Sequence, residues 1–168
     1  GGEAPPDGSP YWLVDPICGT RNFASGSPLY CVNLALVEGG QITLAVVGDS
    51  STGEIHVAER GGGAWANTGG SPRPLTTSGE SRTVVVEVGR STGPRRERAA
   101  RFVAGAILAD RWDLRALGTT LSLPYVAAGR TGPLLGSTGD GKSSLRNRLL
   151  GTEVQPTRAV RANDQRGR

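Results

Sequence analysis

Tyr-Trp-Leu-Val-Asp-Pro-Ile-Cys-Gly-Thr-Arg-Asn-Phe-Ala-Ser-Gly, residues 11–26, is the stretch on which the fold turns. Four apolar residues, Tyr11 to Val14, read as a strand that delivers Asp15 to a tight Pro-Ile-Cys-Gly-Thr turn. A carboxylate at a strand exit, followed by small residues and a hydroxyl, suits a metal ion and a phosphate held side by side. Hard oxygen donors match Mg²⁺, with Mn²⁺ as the alternative. Asp15 offers such a carboxylate and Ile17 a backbone carbonyl. Gly19 and Thr20 can open a helix whose amides face an anion, and the Thr20 hydroxyl can hydrogen-bond an attacking water. Cys18 breaks the pattern, because a thiol is soft and a poor match to Mg²⁺.

Outward from this stretch, residues 29–37 form a long β-prone run. Glu38-Gly39-Gly40-Gln41 supplies hairpin chemistry, and residues 42–47 return. Residues 54–59 read as a third strand and 64–66 as a short fourth, together an antiparallel meander. Residues 67–82 are rich in Gly, Pro, Ser and Thr and read as a loop. Residues 83–88 read as a strand. Residues 95–108 place Ala99, Phe102, Val103 and Ala106 at helical spacing. Residues 111–117 read as a strand. Residues 119–128 read as a helix with Leu121, Tyr125 and Ala128 on one face, interrupted by Pro124 and closed by Gly129. Strands first and helices later predict an α/β (α+β) layered sandwich of sheet and helix.

The string at 15–23 is similar to the inositol monophosphatase signature Asp-Pro-Ile-Asp-Gly-Thr-x-Asn-Phe, with Cys18 in place of the second aspartate. Glu59-Arg60-Gly61-Gly62-Gly63-Ala64-Trp65 resembles the family's glycine-rich hairpin. Ala116-Leu117-Gly118-Thr119 and Tyr125-Val126-Ala127-Ala128-Gly129-Arg130 resemble its later strand-to-helix segment. The resemblance covers about residues 11–130. It implies a metal-dependent phosphomonoesterase acting on a small phosphorylated alcohol, and a homodimer. It also implies Asp15, Ile17 and Cys18 at the metal, Gly19 and Thr20 at the phosphate, and Asp15 and Thr20 as the catalytic pair. Two family parts do not match. An acidic Gly-Glu-Glu type motif is expected before the signature, where only Glu3 and Asp7 stand, in an unlike context. Trp112-Asp113 has the letters of a late metal motif but precedes Gly118-Thr119 instead of following it, and reads as a strand pair. The chain is therefore expected to be an incomplete family domain over residues 1–130.

Residues 131–168 are expected to form a basic, poorly ordered tail. Residues 130–168 carry eight basic and three acidic side chains, against eleven and twelve in residues 1–129, so the whole excess positive charge lies there. Without interleaved aromatics such a tail reads as a solvated extension, not a nucleic-acid site. Within it, Gly136-Ser137-Thr138-Gly139-Asp140-Gly141-Lys142-Ser143 fits the P-loop pattern, with Gly136, Gly141, Lys142 and Ser143 as nucleotide-binding candidates. The longer string through Gly151 resembles dynamin-like or Era-like GTPases. The upstream strand that a P-loop needs is weak, so nucleotide binding, or a non-catalytic fragment, stands as the alternative.

Two cysteines are too few for a disulfide framework and read as reduced thiols in a cytoplasmic protein. No apolar run reaches the length of a membrane span, and no secretory leader is expected. His56, the only histidine, reads as a surface residue on the polar face of its strand.

Overall fold

The computed structural model describes residues 5, 7–87, 94–110 and 112–136. Strands β1 (Tyr11–Cys18), β2 (Cys31–Glu38), β3 (Gln41–Asp49), β4 (Ile55–Glu59), β5 (Gly63–Asn67) and β6 (Arg73–Pro74) make one antiparallel sheet in sequence order. The meander is as the sequence predicts, and each turn between neighbours is set locally. Gly39 and Gly40 both take positive φ between β2 and β3, the requirement of a two-residue type I′ hairpin. The short helix α1 (Thr20–Ala24) interrupts the series between β1 and β2. The predicted loop over 67–82 contains the short β6, which pairs with β5.

A second, parallel sheet follows. Strand β7 (Thr83–Glu87) lies between β8 (Asp113–Arg115) and β9 (Leu134–Gly136). Helix α2 (Pro94–Leu108) leads from β7 towards β8, and α3 (Ser122–Ala127) leads from β8 towards β9. Parallel neighbours need such crossovers because a tight turn cannot reverse the chain twice. The sheet runs past residue 130, since Val85 and Val86 of β7 pair with Leu134 and Leu135. Val84 and Val85 are almost fully buried, as expected of a central parallel strand. Helix α2 buries Ala106 but leaves Phe102 at 42% exposure. The predicted apolar face of α2 is thus only partly sunk. Pro124 sits in the first turn of α3, where a missing amide leaves no intrahelical bond unmade, so it does not break the helix.

Along β2, Cys31, Asn33, Ala35 and Val37 are buried while Val32, Leu34 and Leu36 are not. At the Cys31 end of this series, Leu121, just before α3, packs with Cys18, Cys31 and Val47, and Tyr125 of α3 lies against them. A second cluster joins Ala35, Val37 and Ile42 with Tyr11. The other face carries exposed Trp12, Val14, Val32 and Ile55.

The register corrects the reading of His56. It pairs with Val47 and Ala66, both buried, whereas Ile55 pairs with Gly48 and Asn67. His56 is therefore on the core face, 3% exposed, and Ile55 on the outer one at 47%. Alternation fixes that two neighbours differ in face; only the partners decide which is which. Burial holds the His56 pKa below its ordinary value, against a raising influence of Glu54. A depressed folded pKa means the unfolded chain takes up its proton first as pH falls. Stability is then intact above about pH 6.5 and is lost as pH drops towards the folded value, at up to about 1.4 kcal/mol per pH unit. Urea unfolding between pH 7.5 and 5 checks this; His56→Gln is expected to flatten the curve over that range.

Candidate active site

The exit of β1 is a bulge. Asp15 pairs with Asn33 and Cys18 with Cys31, and the register shifts between them. In a regular strand, residues 15 and 18 would point to opposite faces. The inserted residue puts both on the face shared with Asn33 and Cys31. The signature spacing therefore works only through the irregularity at Pro16 and Ile17, and the predicted tight turn is instead strand, bulge and helix start. Asp15 is half-buried and Cys18 is buried.

Gly19 follows in the left-handed region, φ 101°, at the N-cap of α1. A Cβ there would lie 3.0 Å from the Leu29 carbonyl oxygen, 3.2 Å from Thr119 Cβ and 3.3 Å from Tyr30 Cα. Only glycine lets the signature loop approach both of its neighbours. Thr20 begins the helix and is exposed, and the first turn has no side-chain cap.

The loop is fastened to residues 117–120. Asn22 Nδ2 donates to the carbonyls of Leu29 and Leu117, 2.6 Å each. Thr119 Oγ1 donates to the Cys18 carbonyl at 3.1 Å. Cys18 Sγ lies 2.8 Å from Thr120 Oγ1 and Cys31 Sγ lies 3.2 Å from Thr119 Oγ1. Asn33 Nδ2 donates to Thr120 Oγ1 at 3.2 Å. From the second sheet, the Glu87 carboxylate accepts from the amides of Leu117 and Gly118. Asn22, Asn33, Glu87, Thr119 and Thr120 thus belong to the site although sequence reasoning did not single out their side chains. Asn22 was visible as a letter of the signature; the others come from segments whose closeness is tertiary.

A hydrogen bond from the Cys31 thiol holds the Cys18 pKa well below the thiol range, and the same pairing with burial raises that of Cys31. The Asp15 charge acts the other way on Cys18. The donor set does not complete a divalent-cation site. Asp15 contributes one hard carboxylate, and Cys18 contributes a soft sulfur already engaged by Thr120. Among the described residues no three His, Cys, Asp or Glu side chains converge on one point.

Behind this loop, α3 is latched to the meander. Buried Glu54 pairs with Arg73 at 3.2 Å and with Arg130. Tyr125 Oη donates to Asp49 Oδ2 at 2.6 Å, and the Arg130 guanidinium lies over the Tyr125 ring. His56 Nε2 stands 3.3 Å from Glu54 Oε2, yet among the described residues neither ring nitrogen has a hydrogen-bond partner. This histidine is a packing residue of the latch and not part of the signature loop.

The arrangement is that of a known group. The inositol monophosphatase family model matches residues 2–134, and the chain belongs to that family. It is 36% identical over 128 residues to the inositol-1-monophosphatase of Rhizobium meliloti, covering 74% of this chain and 47% of that protein. The crystal structure of the extragenic suppressor protein suhB from Bartonella henselae superposes with a TM-score of 0.66 at 29% identity, over 77% of this chain and 50% of that one. The chain thus spans about half the length of the relatives it matches. A separate short likeness, 58% identical over 45 residues, is to the small ribosomal subunit biogenesis GTPase RsgA of Xanthomonas campestris, 12% of whose length it covers. Beyond this short likeness, the dynamin-like or Era-like resemblance of the tail finds no support. Of the P-loop candidates, Gly136 ends β9, whereas Gly141, Lys142 and Ser143 lie outside the described residues. No helix among the described residues is long and apolar enough to cross a membrane.

Proposed function

We propose that this chain carries the central part of a phosphomonoesterase site for a small phosphorylated alcohol. The observation that supports it most is the bulge that turns Asp15 and Cys18 to one face, beside Gly19 and the start of α1. In this reading Asp15 and Thr20 are the catalytic pair, and Gly19 and Thr20 receive the phosphate. The family resemblance adds Mg²⁺, or Mn²⁺, at Asp15, Ile17 and Cys18. The donor set described above does not fulfil that part, so no step is routed through a metal. What the chain's own residues provide is placement. Thr119, Thr120 and Asn22 hold the loop rigid, and Asp15 presents a carboxylate to whatever the loop binds. A homodimer and a reducing, cytoplasmic setting, which suits two free thiols, complete the reading.

Release of phosphate from a generic monoester by the full chain tests it. Activity is expected to fall at least about 100-fold in Asp15→Asn, the scale of losing a positioned charged group at a reacting centre. Equal rates in the two proteins would end the assignment of Asp15. Cys18→Asp restores a hard oxygen donor and is expected to tighten Mg²⁺ binding about tenfold or more, measured by isothermal titration. Equal or weaker binding by the aspartate form would show that position 18 does not face a cation. A second reading, a nucleotide-binding segment, draws on the RsgA likeness and on Gly136, Gly141, Lys142 and Ser143; a GTP-dependent rise in thermal midpoint would favour it.

A further inference from the structure

We propose that Cys18 and Cys31 form a reversible cross-strand disulfide, making the exit of β1 a thiol–disulfide modification site. The two residues are direct partners in the β1–β2 pair. Opposed residues in antiparallel strands have Cα atoms about 4.5–5.5 Å apart, within the roughly 4.4–6.8 Å that a disulfide spans. The bulge leaves both side chains on the same face, and both are free thiols. Cys31 is fully buried while Cys18 keeps 8% exposure, so an external reagent meets Cys18 first.

The neighbours tolerate the bond. Thr120 Oγ1 would lose Cys18 Sγ but still accepts from Asn33 Nδ2 at 3.2 Å. Thr119 Oγ1 would lose Cys31 Sγ but still donates to the Cys18 carbonyl at 3.1 Å. Both buried hydroxyls keep a partner, and the bond costs one weak sulfur contact, that of the Cys31 thiol to Asn33 Oδ1 at 3.5 Å.

The oxidant is a small-molecule disulfide such as oxidised glutathione. Cys18 sulfur, as thiolate, attacks one glutathione sulfur, the glutathione S–S bond breaks, and one glutathione leaves as thiolate and takes up a proton. Cys31 then loses its proton and attacks Cys18 Sγ, expelling the second glutathione. Two protein thiols are oxidised by two electrons and one glutathione disulfide is reduced to two thiols. The bond ties the signature loop to β2 around α1 and removes the Cys18 sulfur as an anionic donor. The inference stands apart from the phosphatase reading, because it concerns only the two sulfurs.

The test is a mass measurement on the folded full chain after incubation with oxidised glutathione, quenching with iodoacetamide and peptide mapping. The expected product is a monomer lighter than the reduced chain by two hydrogens, with Cys18 and Cys31 peptides linked and neither alkylated. Dithiothreitol should return both thiols. In Cys31→Ala, or in Cys31→Ser if the alanine form does not fold, the reaction should stop with one glutathione on Cys18. Retention of glutathione on Cys18 in the unsubstituted chain, linkage between two chains, or full alkylation of both cysteines would each overturn the proposal. These three outcomes are read on the unsubstituted chain, so they hold whether or not either variant folds.

Discussion

Exchanging Glu54 for alanine is expected to lower the unfolding free energy by about 3 kcal/mol, because it strips a buried anion from two arginines and a histidine at once. Glu54 is 4% exposed, and its carboxylate joins Arg73 from β6, Arg130 beyond α3 and the edge of His56 from β4. Breaking a buried pair from one side costs about 3–5 kcal/mol. The two arginine side chains keep 55% and 36% of their exposure, so water recovers part of that loss and the lower end applies. Urea midpoints of Glu54→Ala and Glu54→Gln separate the contributions. The glutamine form keeps the shape and some hydrogen bonding and should lose less. A shift below about 1 kcal/mol in the alanine form would mean that α3 is held by Leu121 and Tyr125 packing and not by the latch.

The second large effect is expected from Gly19→Ala, at about 2–4 kcal/mol. Two penalties act together there. A positive φ of 101° strains any residue with a Cβ, and that Cβ would press on a carbonyl oxygen, a β-branched side chain and a backbone Cα, all within 3.3 Å. None of these is the loose end of a flexible side chain. Gly26→Ala is the control, since Gly26 has φ 75° but a Cβ there would meet nothing within 4 Å; its loss should stay near 1 kcal/mol. Similar losses at both positions would mean that backbone strain alone sets the cost and that the loop can yield at Leu29 and Thr119. If it cannot yield, phosphate release by Gly19→Ala should fall along with stability.

Much of the fold was legible in local chemistry. Gly39-Gly40 with apolar runs on both sides permits little but a hairpin, and the alternating Cys31 to Val37 series shows which of its residues share a face. Gly129 after Tyr125 and Ala128 marks a helix end, and it does close α3 at φ 68°. Asp15, Gly19 and Thr20 stand together at the exit of β1 because strand, bulge and helix start are contiguous in the chain. The parallel sheet was less legible. Leu134–Gly136 offers only two apolar residues and reads as tail, yet it completes β7, because a three-residue strand draws its stability from its partner and not from its own propensity.

His56 shows the limit most clearly. Glu54-Ile55-His56-Val57 fits a strand with either face inward, and hydropathy alone favours burying Ile55. The opposite occurs because β3 and β5 present Val47 and Ala66 on one side and Gly48 and Asn67 on the other. Glu54, Arg73 and Arg130 are likewise far apart in the chain until the sheet and α3 bring them together.

By itself the chain's order of residues determined the family, the succession of strands, and the identity of the loop that carries Asp15, Gly19 and Thr20, since each rests on neighbours a few positions apart. Only the tertiary structure decided that Asp15 and Cys18 share a face, that Cys18 meets Cys31 and Thr120, and that a buried carboxylate latches the last helix. The reason is physical: facing, burial and charge pairing depend on partners that are dozens of residues distant, and local sequence carries no information about which of them will arrive.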